Sequence, residues 1–161
     1  MKIKPIKQRD SSACAPTSIE MVLNYFDVPH TVKEITKVTD YKKEGGMCNL
    51  QLVKAILNFG LKVKKRTNVS WEELTKENTE ESVIIVSWML EGYIGHISVV
   101  EKVTETHIFL AEPTTTTGKV LKLERIKFLR LWWDFEAQGR DIWYPETKSD
   151  IQLRFMIVVT K

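Results

Sequence analysis

QRDSSACAPTSIEMVLNYF, residues 8–26, places a cysteine where a polar loop becomes an amphipathic helix. After Cys14, Ile19, Val22, Leu23 and Phe26 recur at the spacing that gathers apolar side chains on one helical face. Pro16 falls in the first turn, where the N–H it lacks has no helical partner to lose. The stretch therefore predicts a helix that begins at or just after Cys14. A thiol at that point meets the positive end of the helix macrodipole and unpaired backbone N–H groups, both of which favour its thiolate. A buried structural thiol is the competing reading of a free cysteine, and the rest of the chain decides between the two.

Downstream, the pattern stays helical and then changes. A second short helix is predicted from the cap Thr31, burying Val32, Ile35 and Val38. A third is predicted from the cap Asn49 through Leu52, Val53, Ile56 and Leu57 to the stop Gly60. Ser70 with Glu73 makes a capping box for a fourth, carrying Trp71 and Leu74. From Ser82 the period becomes that of strands: VIIVSW, HISVVEKV, HIFLAEP, KVLKL and, at the C-terminus, LRFMIVVT. Between the last two, residues 123–135 have helical spacing at Ile126, Leu129 and Trp133, and TTTTG at 114–118 reads as a turn. A helical lobe followed by an antiparallel sheet predicts an α+β fold.

With 161 residues, the chain is expected to form a single domain over 1–161, long enough to bury a core without disulfides. Its two cysteines, Cys14 and Cys48, are too few for a secreted disulfide scaffold and predict free thiols in a reducing compartment. MKIKPIKQRD lacks the apolar stretch of a signal peptide, and the longest apolar run, residues 83–90, is too short to span a bilayer. A soluble, cytoplasmic chain with no membrane segment is the expectation. The net charge of +3 comes from interspersed Lys and Glu, with one dense basic cluster at Lys62, Lys64, Lys65 and Arg66. No aromatic interleaves that cluster, so it reads as a solvated surface and not as a nucleic-acid face. The histidines and cysteines are scattered without ligand spacing, which argues against a metal site.

To cleave an amide, a thiolate needs a base that is near in space and distant in sequence. Three histidines are available. His30 follows the first helix, at its far end from Cys14, and His107 sits beside the turn VTETH. Only His96 begins a strand with an apolar run behind it, after Gly95, which leaves the approach to the ring open. A tight turn then returns the chain as HIFLAEP, so that Glu112 can sit beside His96, fix its tautomer and stabilise its protonated form. Gln8, six residues before Cys14, carries an amide N–H suited to hold an oxyanion together with the Cys14 backbone N–H.

Taken together, Gln8, Cys14, His96 and an acidic residue followed by Pro113 resemble the papain-like cysteine peptidases that process double-glycine leaders of bacteriocins, family thirty-nine of the cysteine peptidases. The features that carry the likeness are the glutamine spacing in QRDSSAC, the helix opened by the nucleophile, the strand GHISVV and the strand end AEP. A following helix with Phe128 and Trp132, and the segment GGMCNLQLVKAILNFGL, add to it. The resemblance implies a papain-like fold and a peptidase with Cys14 as nucleophile, His96 as base and acid, Glu112 as orienting acid and Gln8 in the oxyanion hole. Two positions depart from the family pattern: Ala15 stands where glycine is usual, and Glu112 where aspartate is usual. The resemblance implies a peptide or protein substrate and no cofactor, with a leader peptide or a separate exporter as partner.

Two other classes remain compatible with these residues. The same thiol and imidazole can serve an amidase or acyltransferase, and a peptide-binding module can keep the fold with little turnover. Cys48, beside Gly45 and Gly46, reads as a semi-buried thiol without a role, and the two glycines as a flexible connection and not a self-cleavage site. Trp132, Trp133 and Phe135 read as core and lobe-packing residues, with a peptide groove as the alternative for any that are exposed.

Overall fold

The structure, a computed structural model, describes residues 3–43, 45–114, 120–136 and 144–161. It opens with three helices, α1 (Cys14–Tyr25), α2 (Val32–Thr39) and α3 (Asn49–Asn58), followed by β1 (Lys62–Arg66) and α4 (Trp71–Glu77). The strands β2 (Val83–Leu90), β3 (Ile94–Val103), β4 (His107–Ala111) and β5 (Val120–Glu124) come next. After α5 (Arg125–Leu131) come the short strands β6 (Trp133–Phe135) and β7 (Ile151–Leu153), and β8 (Met156–Thr160) ends the chain.

One six-stranded sheet, in the order β1-β8-β2-β3-β4-β5, organises the molecule, and its neighbouring strands pair antiparallel. Its apolar runs are continuous because both faces are covered. Val83, Ile85, Ile97, Val99, Ile157 and Val159 face the core built with α1 and α3, which contribute Ile19, Val22, Leu23, Leu52 and Ile56. The alternate residues Ile84, Val86, Trp88, Val100 and Val158 face a second core with Trp71 and Leu74 of α4 and with Phe128 and Trp132. The α+β expectation holds, with one addition: the sheet is central, and helices lie on both of its faces.

Several local expectations are corrected. On α2 only Ile35 of the three predicted apolar positions is buried, while Val32 and Val38 face outward. On α3, Leu52 and Ile56 are buried but Leu57 is half exposed, and the cap is Cys48 instead of Asn49. The backbone N–H of Cys48 donates to Gln51 Oε1 at 2.8 Å, which frees Asn49 to enter the helix. The helix expected over 123–135 is limited to α5 and buries Phe128, with Trp132 packed just beyond its end, while Ile126 is 66% exposed and Trp133 has passed into β6. Two overlapping apolar faces compete in that segment, and the one with the larger aromatic surface takes the core. The C-terminal run is two strands, broken where Arg154 adopts a φ of 48°. The basic cluster proves to be the edge strand β1, in which Lys64 pairs with Glu77 at 2.8 Å and Arg66 with Glu73. Charges on an exposed edge discourage further strand pairing. Residues 115–118 of the predicted TTTTG turn lie outside the described residues.

Candidate active site

Cys14 is the first residue of α1, preceded by the cap Ala13 and half-buried. Its helix is fixed to the sheet from within: Ser18, fully buried, donates through Oγ to the carbonyl of Ile97 at 3.3 Å. Ile97 follows His96 on β3, so this bond, made one helical turn beyond Cys14, sets the thiol against the histidine. In the register of β2 and β3, His96 lies opposite Trp88, and the two rings meet edge to face with centroids 6.0 Å apart. The imidazole is 3% exposed.

His96 is acted on by both Glu112 and Cys14. Its Nε2 donates to Glu112 Oε1, and the Cys14 side chain stands close enough to the ring to favour its protonated form. Burial works against a charge on the ring, but the Cys14 side chain, the hydrogen bond to Glu112 and the negative charge of both outweigh it, raising the His96 pKa from 6.5 to about 9. Glu112 is buried at the end of β4, and burial alone would raise its pKa. The hydrogen bond and charge of His96, with Ser98 and the Thr114 backbone, instead hold it below the usual carboxylate range. Thr114 donates to Glu112 Oε1 from its N–H at 2.9 Å and from its hydroxyl at 3.0 Å, and Ser98 Oγ donates to Oε2 at 2.6 Å.

Three of the four predicted residues, Cys14, His96 and Glu112, thus come together. Gln8 reaches the same neighbourhood through its backbone, whose N–H donates to the carbonyl of Pro113 at 2.8 Å. Its side chain points elsewhere: Nε2 donates to the carbonyl of Asp10 at 2.8 Å, and Oε1 is buried without a hydrogen-bond partner among the described residues. Gln8 does not line the cleft.

That cleft, of about 530 Å³, has Cys14 and His96 on its walls. Ser11 and Ser12, Gly45 to Asn49, Tyr93 to Ile97, and Asp134 to Glu136 complete it. Among these described lining residues there is no Lys or Arg. Cys48 is exposed on the rim instead of semi-buried, while Phe135 takes the groove-lining position and Trp132 is core. Glu136 closes one end by accepting the Asn49 N–H at 2.7 Å.

Asp134 and Ser98 were not singled out from the sequence. Asp134 lies on β6, accepts hydrogen bonds from Ser87 Oγ and from the Phe135 N–H (2.8 Å), and is pushed up to about 6 by burial. It also explains Gly95, because a Cβ built there would lie 3.1 Å from Asp134 Oδ1. The glycine makes room for a carboxylate as much as for substrate. No local spacing announces either residue; each reaches the site through strand pairing. Among the described residues no group of His, Cys, Asp and Glu is arranged to hold a metal ion, and no helix is long and apolar enough to cross a membrane.

Among solved structures, a double glycine motif protease from an AMS/PCAT transporter, in complex with the leader peptide, is similar with a TM-score of 0.70 and 20% identity. The alignment covers 99% of this chain and 93% of that one. The peptidase domain of Streptococcus ComA, a bi-functional ABC transporter involved in a quorum sensing pathway, gives 0.71 at 16% identity, over 99% and 98%. That of Streptococcus mutans ComA gives 0.61 at 16%, over 98% and 99%. At such identities the likeness is one of fold. Comparison with curated proteins finds no match. Residues 2–135, well over half of the chain, match the Peptidase C39 family, and the chain belongs to that family of cysteine peptidases.

Proposed function

We propose that the chain, acting as one peptidase domain, hydrolyses a peptide bond with Cys14 as nucleophile. The observation that carries this reading is the buried His96, bonded through Nε2 to Glu112 and sharing the cleft wall with Cys14, whose side chain favours the protonated ring. The Cys14 thiolate attacks the scissile carbonyl. His96, protonated when the thiolate forms, gives that proton to the leaving amine as the C–N bond breaks and a thioester remains. Water then attacks the thioester with His96 as base, and the thiolate departs as the acid product is released. Glu112 orients His96 and favours its imidazolium. The Cys14 backbone N–H stabilises the oxyanion, and the Gln8 amide joins it only once its side chain turns from the Asp10 carbonyl into the cleft.

The substrate we propose is a peptide with small residues next to the cleaved bond, the double-glycine leader class. Ser11, Ser12, Gly45, Gly46 and Gly95 leave little side chain on the walls near Cys14 and His96, which suits an extended backbone with small side chains. The similar double glycine motif protease, solved in complex with the leader peptide, supports the same class.

The first test is the pH dependence of Cys14 alkylation, followed by mass spectrometry with Cys48 as internal control. Cys14 is expected to react as a thiolate well below the free-thiol range of about 8.5, and His96→Ala to abolish that shift. A Cys14 that titrates like Cys48 in the parent chain would refute the peptidase mechanism. The second test offers a leader peptide ending in Gly-Gly and the same peptide with Val at the last position. Cleavage after the second glycine, lost with Val and lost in Cys14→Ala, is expected. Amine-dependent product without hydrolysis would make the enzyme an acyltransferase, and tight binding with no acyl-enzyme burst would make it a binding module.

A further inference from the structure

Glu112 is gripped at both carboxylate oxygens, and among the described residues Oε2 is held by Ser98, backed by Trp88, neither of which lines the cleft. Ser98 lies one step beyond the last paired residues Val99 and Ala111, which places it across from Glu112. Its Oγ donates to Glu112 Oε2 at 2.6 Å, and Trp88 Nε1 donates to the same Oγ at 2.9 Å. All three side chains are buried. The direction of the chain is forced, because an indole N–H only donates and an ionised carboxylate only accepts. Ser98 must therefore accept from Trp88 and spend its single proton on Glu112. Trp88 meanwhile sets its ring against His96, with an interplanar angle of 79°. One tryptophan touches the base directly and the acid through a serine.

We propose that Ser98, oriented by Trp88, is a positioning residue that keeps Glu112 ionised and aligned with His96. This rests on the reading of Cys14, His96 and Glu112 given above. A glutamate has one more rotatable bond than the aspartate usual in the family. Held only by His96, its carboxylate would swing; Ser98 on Oε2 and Thr114 on Oε1 remove that freedom. The grip also discriminates between protonation states. A protonated Glu112 would offer a proton where Ser98 already offers one, so the network favours the carboxylate, in keeping with the direction of its pKa. The proton affinity of His96 is thereby set in part by two residues that never meet substrate.

The test is the pH profile of Cys14 alkylation by iodoacetamide in Ser98→Ala, Ser98→Thr, Trp88→Phe and the Ser98→Ala/Trp88→Phe double variant, with thermal melts to confirm folding. Ser98→Ala is expected to slow alkylation at pH 7 about tenfold and move the profile toward free-thiol behaviour, consistent with one charge-assisted hydrogen bond. Trp88→Phe, which keeps a ring against His96 but lacks the N–H, should move it the same way. The double variant should be no worse than the worse single, because both act through one bond, and Ser98→Thr, which keeps the hydroxyl, should restore the parent profile. If Ser98→Ala does not fold, Trp88→Phe and Ser98→Thr decide. An unchanged profile in Trp88→Phe, or effects that simply add in the double variant, would overturn the proposal. If His96→Ala also leaves the profile unmoved, the failure lies earlier, in the Cys14–His96 pairing itself.

Discussion

Gly95 shows how one residue can be selected by a neighbour that sequence spacing does not reveal. Asp134 Oδ1 sits 3.1 Å from the place a Cβ would occupy, closer than ordinary packing allows. The carboxylate cannot simply turn away, because Ser87 Oγ and the Phe135 N–H hold it. An alanine there has two opposed effects. It restricts the unfolded chain, which by itself stabilises by about 0.4–1 kcal/mol, and it crowds a fixed group, which costs about 1–3 kcal/mol. Crowding should win. Gly95→Ala is expected to lower stability by about 1 kcal/mol in urea titration, and Asp134→Ala in the same chain should remove most of that loss by vacating the space. A double variant in which the two losses merely add would show that the alanine acts somewhere other than on Asp134.

At the scale of elements, α1, the capped helices α2 and α4 and the apolar strands were legible, and β1, β6 and β7 were not. The spacing of Ile19, Val22 and Leu23 identified the face of α1 that enters the core, and the run VIIVSW identified β2, buried on both sides. The strand β1 escaped because Lys and Arg occupy four of its five positions, a pattern that reads as solvated and is in fact a solvated edge. The strands β6 and β7 escaped because three residues each are too few to show a period, and so Asp134 went with them. Cys14, His96 and Glu112 were legible because each lies at or within two residues of the end of an element with a strong pattern, although β3 begins at Ile94 and not at His96. Their mutual distance was not, since it depends on how α1 is set across β3. The bond from Ser18 to the Ile97 carbonyl is the buried polar contact that makes that setting. Ser18→Ala leaves the carbonyl without this donor and is expected to cost about 1 kcal/mol in chemical denaturation. Because the loss lies between the nucleophile and the base, the Cys14 alkylation profile should shift as well, by less than in His96→Ala. A stability loss with an unaltered profile would mean that the helix is aligned by its apolar face alone.

Across the whole molecule, the small β6–β7 sheet is joined to the central sheet at the cleft, and Asp134 is the joint: it lies on β6, bonds Ser87 of β2 and stands over Gly95 of β3. That arrangement makes the joint sensitive to pH in a direction opposite to most carboxylates. Burial is the main cause that lifts the Asp134 pKa from 3.8 to about 6, against the opposing help of its hydrogen bonds to Ser87 and Phe135. Between those two values the folded chain still holds a proton that the unfolded chain has released, so stability falls as pH rises through the window and the loss is complete above it. Glu112 works the other way, its lowered pKa contributing stability above the unfolded value that is lost on acidification. The Asp134 contribution can be isolated by comparison with Asp134→Asn, which cannot ionise but leaves Glu112 and His96 in place. The difference in melting temperature, variant minus parent, is expected to rise in favour of the variant from about pH 4 to about pH 6 and then level off. Its full span should correspond to about 1–2 kcal/mol, below the ideal linkage value because the side chain is only partly shielded from water. A difference that stays flat across that window would show that the carboxylate titrates as it does in water, and that the two sheets are held at this point by packing and not by a buried acid.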